Sequence, residues 1–132
     1  PQVVEPLLTV RCLLAPAYTR DAVTAAAEKV TCLFDEHPSL EATPEVFADY
    51  DWKVHQQLSI LSGNPVFTMI LNGFSDMYQE LARLYFRIPE AKKHSLKFYQ
   101  DLHMAAAAGD SKMAEQICNR VMQESIVFWK KV

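Results

Sequence analysis

The sequence predicts one all-α domain of about six helices, and three observations carry that expectation. Apolar residues recur at steps of three and four over most of the chain, as they do in helices that bury one face. Proline and glycine fall in short clusters between those segments. No run of four or more residues alternates apolar and polar without also fitting helical spacing.

Taken in order, the first helix runs from Val3 to Ala15. Pro6 is tolerable near its first turn, and Pro16, which has no N–H to donate, is expected to stop it. The second runs from about Thr19 to Glu36, where Val23, Ala26, Val30, Leu33 and Phe34 repeat at helical steps and His37-Pro38-Ser39 ends the run. Thr43-Pro44-Glu45 opens the third, which reaches about Ser62: a hydroxyl that can cap, a proline with its φ preset, and an acid at the positive end of the dipole. Gly63-Asn64-Pro65 breaks the chain and Pro65 starts a fourth helix reaching about Arg87. That segment is apolar over more than one stripe, which predicts a central position. Ile88-Pro89-Glu90 launches a fifth helix ending at Gly109, and Asp110 caps a sixth from Ser111 to the terminus.

Composition narrows the functional classes. Half of the 132 residues are hydrophobic and 11% are aromatic, which excludes a disordered chain. The purely apolar stretches Leu13 to Ala17 and Met104 to Ala108 are far shorter than the ~20 residues that cross a bilayer, so no membrane association is expected. The net charge of -3 conceals an asymmetry: residues 1–82 carry 4 Lys/Arg against 11 Asp/Glu, and residues 83–132 carry 9 against 5. An anionic partner is therefore expected at the C-terminal end. Cys12, Cys32 and Cys118 are widely spaced and odd in number, which predicts reduced, buried thiols and a cytoplasmic protein. Pro1 stands where an initiator methionine would be, which points to a fragment or a processed chain.

The residues that bear chemistry leave several readings open. Nucleophile elbows, phosphate loops and His-Glu-x-x-His are missing, so an enzyme has no support. Asp51 and His55 are four apart and share a helix face, but a metal needs further convergent ligands, and a structural pair is the preferred reading. His94 and His103 are nine apart, on opposite sides of their helix. Tyr78 and Tyr85 share a face, either as core tyrosines or as hydroxyls aimed at a ligand. Arg11 interrupts an apolar run, so it either faces water or is a charge held near the core, where it needs a partner. Ser125 and Trp129 lie one turn apart on the last helix, with Lys130 and Lys131 beside them.

Several of these residues occur in an order and spacing that carry a family resemblance. Leu7-Leu8-Thr9-Val10-Arg11, Asp51, Ser62-Gly63-Asn64-Pro65, Ile70-Leu71-Asn72-Gly73, Leu84-Tyr85-Phe86 with Pro89-Glu90-Ala91, Phe98-Tyr99, and Glu124-Ser125 with Trp129 stand in sequence. Together they resemble the C-terminal effector domains of FadR-type regulators of fatty-acid metabolism, within the GntR class of bacterial transcription factors. The likeness spans nearly the whole chain.

The resemblance implies an antiparallel helical bundle of about six to seven helices enclosing a ligand cavity, with residues 1–132 as the effector domain. The ligand it implies is long-chain fatty acyl-CoA, with no cofactor and no catalysis. Operator DNA would be bound only through an N-terminal winged helix-turn-helix domain absent from this chain, in a full-length homodimer that acyl-CoA releases from the operator. Carried over by position, Arg11 lies near the polar part of the ligand, and Tyr78, Tyr85 and Tyr99 line the cavity. Ser125 and Trp129 govern the ligand response. Met122 stands where a family member has glycine against the ligand, and Asn119 where that member has arginine. Sister effector domains bind a metal through Asp-x-x-x-His and two more histidines. Asp51 and His55 match that pair, while Tyr99 and Val121 fall at the other two positions. The alternative reading is therefore a metal-dependent sensor of small carboxylates. Further competitors are a helical interaction module without a small ligand and an acyl-CoA-processing enzyme.

Overall fold

A computed structural model describes residues 4–132, so the predicted start of the first helix at Val3 lies outside the described residues. Six helices and no strands are found among them: α1 Val4–Cys32, α2 Pro44–Leu61, α3 Pro65–Gly73, α4 Ser75–Tyr85, α5 Pro89–Ala107 and α6 Ser111–Trp129. α1 is the central rod and packs against α6, α2 and α5, while α2 carries α3 and α4 on its other side.

Three boundaries differ from the sequence expectation. The first two predicted helices are one, because α1 passes through Pro16. The missing N–H costs the helix its bond to the Cys12 carbonyl, a penalty of about 3 kcal/mol in an exposed helix. Here Ala15, Pro16, Tyr18, Thr19, Ala22 and Val23 are all buried, and that packing offsets the loss. The backbone departs from helical values at Ala26 instead (φ -153, ψ 51). After Cys32 the chain closes in short turns from Leu33 to Glu36 rather than continuing as helix.

The long fourth helix is in turn two. Phe74 (φ -121, ψ 22) interrupts it after Gly73. α3 then buries only Leu71, whereas α4 turns Tyr78, Leu81, Ala82 and Tyr85 inward. A single straight helix could not serve both surfaces, and Phe74 itself packs against both halves of the core.

The remaining boundaries follow local chemistry. The Thr43 hydroxyl accepts from the Val46 N–H, and Pro44 occupies the first turn of α2. Gly63 and Gly109 supply the positive φ values that end α2 and α5. At the α5–α6 corner the Gly109 N–H bonds to Ala106 O and the Asp110 N–H to Ala105 O, closing the last turn of α5. The Asp110 side chain then accepts from the Met113 N–H and opens α6.

The core has two parts. One gathers Tyr18, Val54, Leu58, Phe98, Tyr99, Leu102, Cys118 and Met122; the other gathers Leu7, Leu8, Phe47, Tyr78, Tyr85, Phe86 and Trp129. Two of the three thiols expected to be buried are not: Cys12 is half-buried and Cys32 exposed at the end of α1, so only Cys118 behaves as core. Among the described residues no helix is long and apolar enough to cross a membrane. Asp110→Ala removes the α6 cap while keeping the backbone bonds that close α5, and should cost about 1 kcal/mol in urea unfolding with an unchanged m-value.

Candidate functional site

Asp51 sits on the buried face of α2, where the two apolar clusters meet. It is 5% exposed, and its carboxylate is the acceptor for hydroxyls from two other helices. Tyr99 of α5 donates to Oδ1 at 2.7 Å, and Tyr78 of α4 donates to Oδ2. One turn along α2, His55 Nδ1 lies 2.6 Å from the Tyr18 hydroxyl of α1, and its Nε2 is 3.8 Å from Asp51 Oδ2. A single buried acid and its neighbour thus tie α1, α2, α4 and α5 together.

The electrostatics follow from burial. Burial pushes the Tyr18, Tyr78 and Tyr99 phenols well above their usual range, and the charge of Asp51 pushes the same way, so all three remain protonated donors. Burial also holds His55 down to about 4, against the opposing pull of Asp51, so the imidazole is neutral at pH 7. With Tyr18 donating to Nδ1, the proton sits on Nε2 and faces Asp51.

Arg11 lies beside this hub and is 8% exposed. Burial alone would lower its pKa, but the nearby Tyr78 and Asp51 outweigh that and raise it, so the guanidinium stays charged. Among the described residues it forms no ion pair. Its Cζ instead faces the rings of Tyr78 at 5.5 Å and Trp129 at 5.3 Å. Trp129 stacks on Tyr85 with ring centroids 4.3 Å apart, and its indole Nε1 is buried without an acceptor. Ser125, one turn before Trp129, donates to Met122 O at 2.9 Å. Burial raises the Tyr85 phenol, with Arg11 opposing.

The seven residues expected to contact a ligand are therefore all buried, and most of them converge. Arg11, Tyr78, Tyr85 and Trp129 form one aromatic and cationic cluster, with Ser125 and Met122 on the adjoining turns of α6. Tyr99 stands apart, stacked on Phe34 with its edge toward Tyr50, and reaches the cluster only through Asp51. Asn119 is exposed. His94 and His103 have separate neighbours, Glu124 at 3.0 Å and Asp35 at 3.8 Å.

Tyr18 was not anticipated. It lies seven residues after Arg11 on the same helix, a spacing that would have flagged it had Pro16 not been read as a stop. Among the described residues no three His, Cys, Asp or Glu side chains are grouped to hold a metal, and the Tyr99 hydroxyl is spent on Asp51.

A groove of about 550 Å³ runs along the outer side of this cluster between α1 and α6, lined by Leu8, Cys12, Leu13, Ile126 and Trp129, with Glu5 and Lys130 also on its walls. A hollow of about 350 Å³ adjoins it, sharing Cys12 and Leu13 and continuing past Pro16 to Asn119.

Fold and site together define an all-helical domain with an apolar groove lined by a tryptophan whose buried indole N–H lacks an acceptor, and a buried arginine packed on that tryptophan's ring. The family model described as FadR C-terminal domain matches residues 1–132, and the chain belongs to that family. It is similar to the fatty acid metabolism regulator protein of a Shewanella species, 37% identical over 108 residues, covering 82% of this chain and 45% of that one. It is also similar to the proteins of the same name from Edwardsiella ictaluri (30% over 129 residues, 98% and 54%) and Klebsiella pneumoniae (30% over 132 residues, 100% and 55%). The chain spans about half the length of the curated relatives it matches.

The buried imidazole makes stability depend on pH. Unfolded His55 takes up a proton near pH 6.5 but the folded one only near 4, so the unfolded state binds more protons between those values. Stability is full above about pH 6.5 and falls as pH drops toward 4, by up to ~3 kcal/mol. His55→Gln should flatten that part of a urea-unfolding pH series. Asp51→Ala should destabilise by about 3–5 kcal/mol, because it strands the charge of Arg11 and two buried hydroxyls.

Proposed function

We propose that this chain is the long-chain acyl-CoA-sensing effector domain of a cytoplasmic transcriptional regulator of fatty-acid metabolism. The observation that carries the reading is the incomplete polar cluster at Arg11 and Trp129. A buried indole N–H with no acceptor is costly unless an acceptor completes it, and the charged guanidinium of Arg11 packs on the ring that carries it. The thioester carbonyl and pantetheine amides of acyl-CoA are such acceptors. Membership of the FadR C-terminal domain family and the names of its relatives support the coarser part of the reading, the ligand-binding domain of a regulator of fatty-acid metabolism.

An acyl chain of about 14 to 18 carbons gains roughly 0.8 kcal/mol per buried methylene, on the order of 10 kcal/mol before the costs of association. Chain length is then the main discriminator. Arg11, Tyr85 and Ser125 orient the thioester, and Lys130 and Lys131 receive the nucleotide end. A ligand shifts an equilibrium only by binding two states unequally. Seating the chain between α1 and α6 favours a bundle in which α6 and the Tyr78–Asp51 link have moved. In the longer homodimeric regulator, that movement releases operator DNA held by a separate domain.

Calorimetry with acyl-CoAs of graded length tests the reading. Affinity should rise steeply with chain length, and Ser125→Asn and Trp129→Phe should each weaken binding at least tenfold, about 1.4 kcal/mol, with unchanged far-UV circular dichroism. Absence of heat at every length, or equal affinity in both variants, overturns it. One tightly held Zn or Ni per chain would instead favour the metal-dependent carboxylate sensor.

A further inference from the structure

We propose that Cys12 is an S-acylation site, whose thiol accepts the acyl group of a long-chain acyl thioester seated in the α1–α6 groove. The inference rests on the acyl-CoA reading above and adds a covalent outcome to it. Cys12 is half-buried and lines both the groove and the adjoining hollow, so its side chain stands where the two meet. Trp129, 1% exposed and with its indole N–H lacking an acceptor, lines the same groove. Arg11, the neighbouring residue in sequence, is the buried cation without an ion pair. An unsatisfied donor that calls for a carbonyl, the indole N–H of Trp129, thus belongs to a residue that lines the same groove as a sulfur nucleophile.

The other two thiols differ in kind. Cys118 is fully buried against Thr19, and burial pushes its thiol up to about 12, which keeps it protonated and inert. Cys32 is exposed at the far end of α1, beside Leu33, Tyr50 and Lys53, away from the groove. It therefore serves as an internal measure of what exposure alone achieves.

The reaction is a thioester exchange and needs no oxidant or reductant. Cys12 Sγ attacks the thioester carbonyl carbon and a new carbon–sulfur bond forms. The bond from that carbon to the CoA sulfur breaks, its electron pair leaving with sulfur, and the thiol proton ends on the released CoA. One thioester replaces another, so the step is reversible, and the acyl chain already held among apolar side chains favours the protein-bound side. A chain attached at Cys12 would keep the bundle in its occupied form after CoA has left, so the response would outlast the soluble ligand.

Incubation with oleoyl-CoA, followed by intact-mass analysis and peptide mapping, tests this. One oleoyl increment should appear on the peptide containing Cys12, with an equivalent of free CoA, at least ten times faster than on Cys32, and hydroxylamine should remove it. Cys32→Ser should keep the adduct and Cys12→Ser should lose it. Heat of binding without an adduct, or an adduct on Cys32 alone, overturns the S-acylation site and leaves the sensing reading standing. Neither heat nor adduct overturns both.

Discussion

The bundle depends on one buried carboxylate. Asp51 is placed where two apolar clusters meet, and it accepts a hydroxyl from each, Tyr99 on one side and Tyr78 on the other. A carboxylate moved out of water is tolerated only when hydrogen bonds and an opposite charge replace its hydration. The tyrosines provide the first and Arg11, held over the ring of Tyr78, provides the second. Burial keeps every phenol of the set protonated, so each remains a donor across the physiological range.

That arrangement couples the centre of the fold to the α1–α6 groove. Tyr78 touches Asp51 with its hydroxyl and Arg11 with its ring, and Arg11 touches Trp129. Any group that draws Arg11 toward the groove also loosens Tyr78 and with it the junction of α2 and α4. A buried polar network has few satisfied arrangements, so it responds in steps rather than by degrees. The passage of α1 through Pro16 matters here because it places Arg11, Cys12 and Tyr18 on one helix, ahead of the break at Ala26.

Much of this was legible in the residues. The caps at Thr43 and Asp110, the breaks at Gly63 and Gly109 and the helical periods are local, and each appears where its chemistry places it. The errors share a cause. Pro16 has a helix-stopping chemistry that the burial of its α1 neighbours overrides, and Phe74 breaks a strongly periodic run because two surfaces must be served at once. Cys32 looks like part of an apolar face, yet it is exposed at the end of α1 while Val30 and Phe34 on either side of it are buried in the core. Tyr18 went unmarked because its relation to Arg11 exists only if the helix continues through the proline.

The amino-acid sequence by itself determined the all-helical class and most of the helix boundaries, including the starts at Pro44, Pro65, Pro89 and Ser111. These properties are read from spacings of three, four and seven residues, which remain the same whatever the rest of the chain does. Only the tertiary structure decided that Asp51 is the common acceptor, that Arg11 faces rings rather than acids, and that Cys12 stands in a groove. The bonds that make the hub join residues 27, 37 and 48 positions apart, and no local pattern encodes contacts at that range. They exist because packing brings residues distant in sequence together where their polar groups can pair away from water.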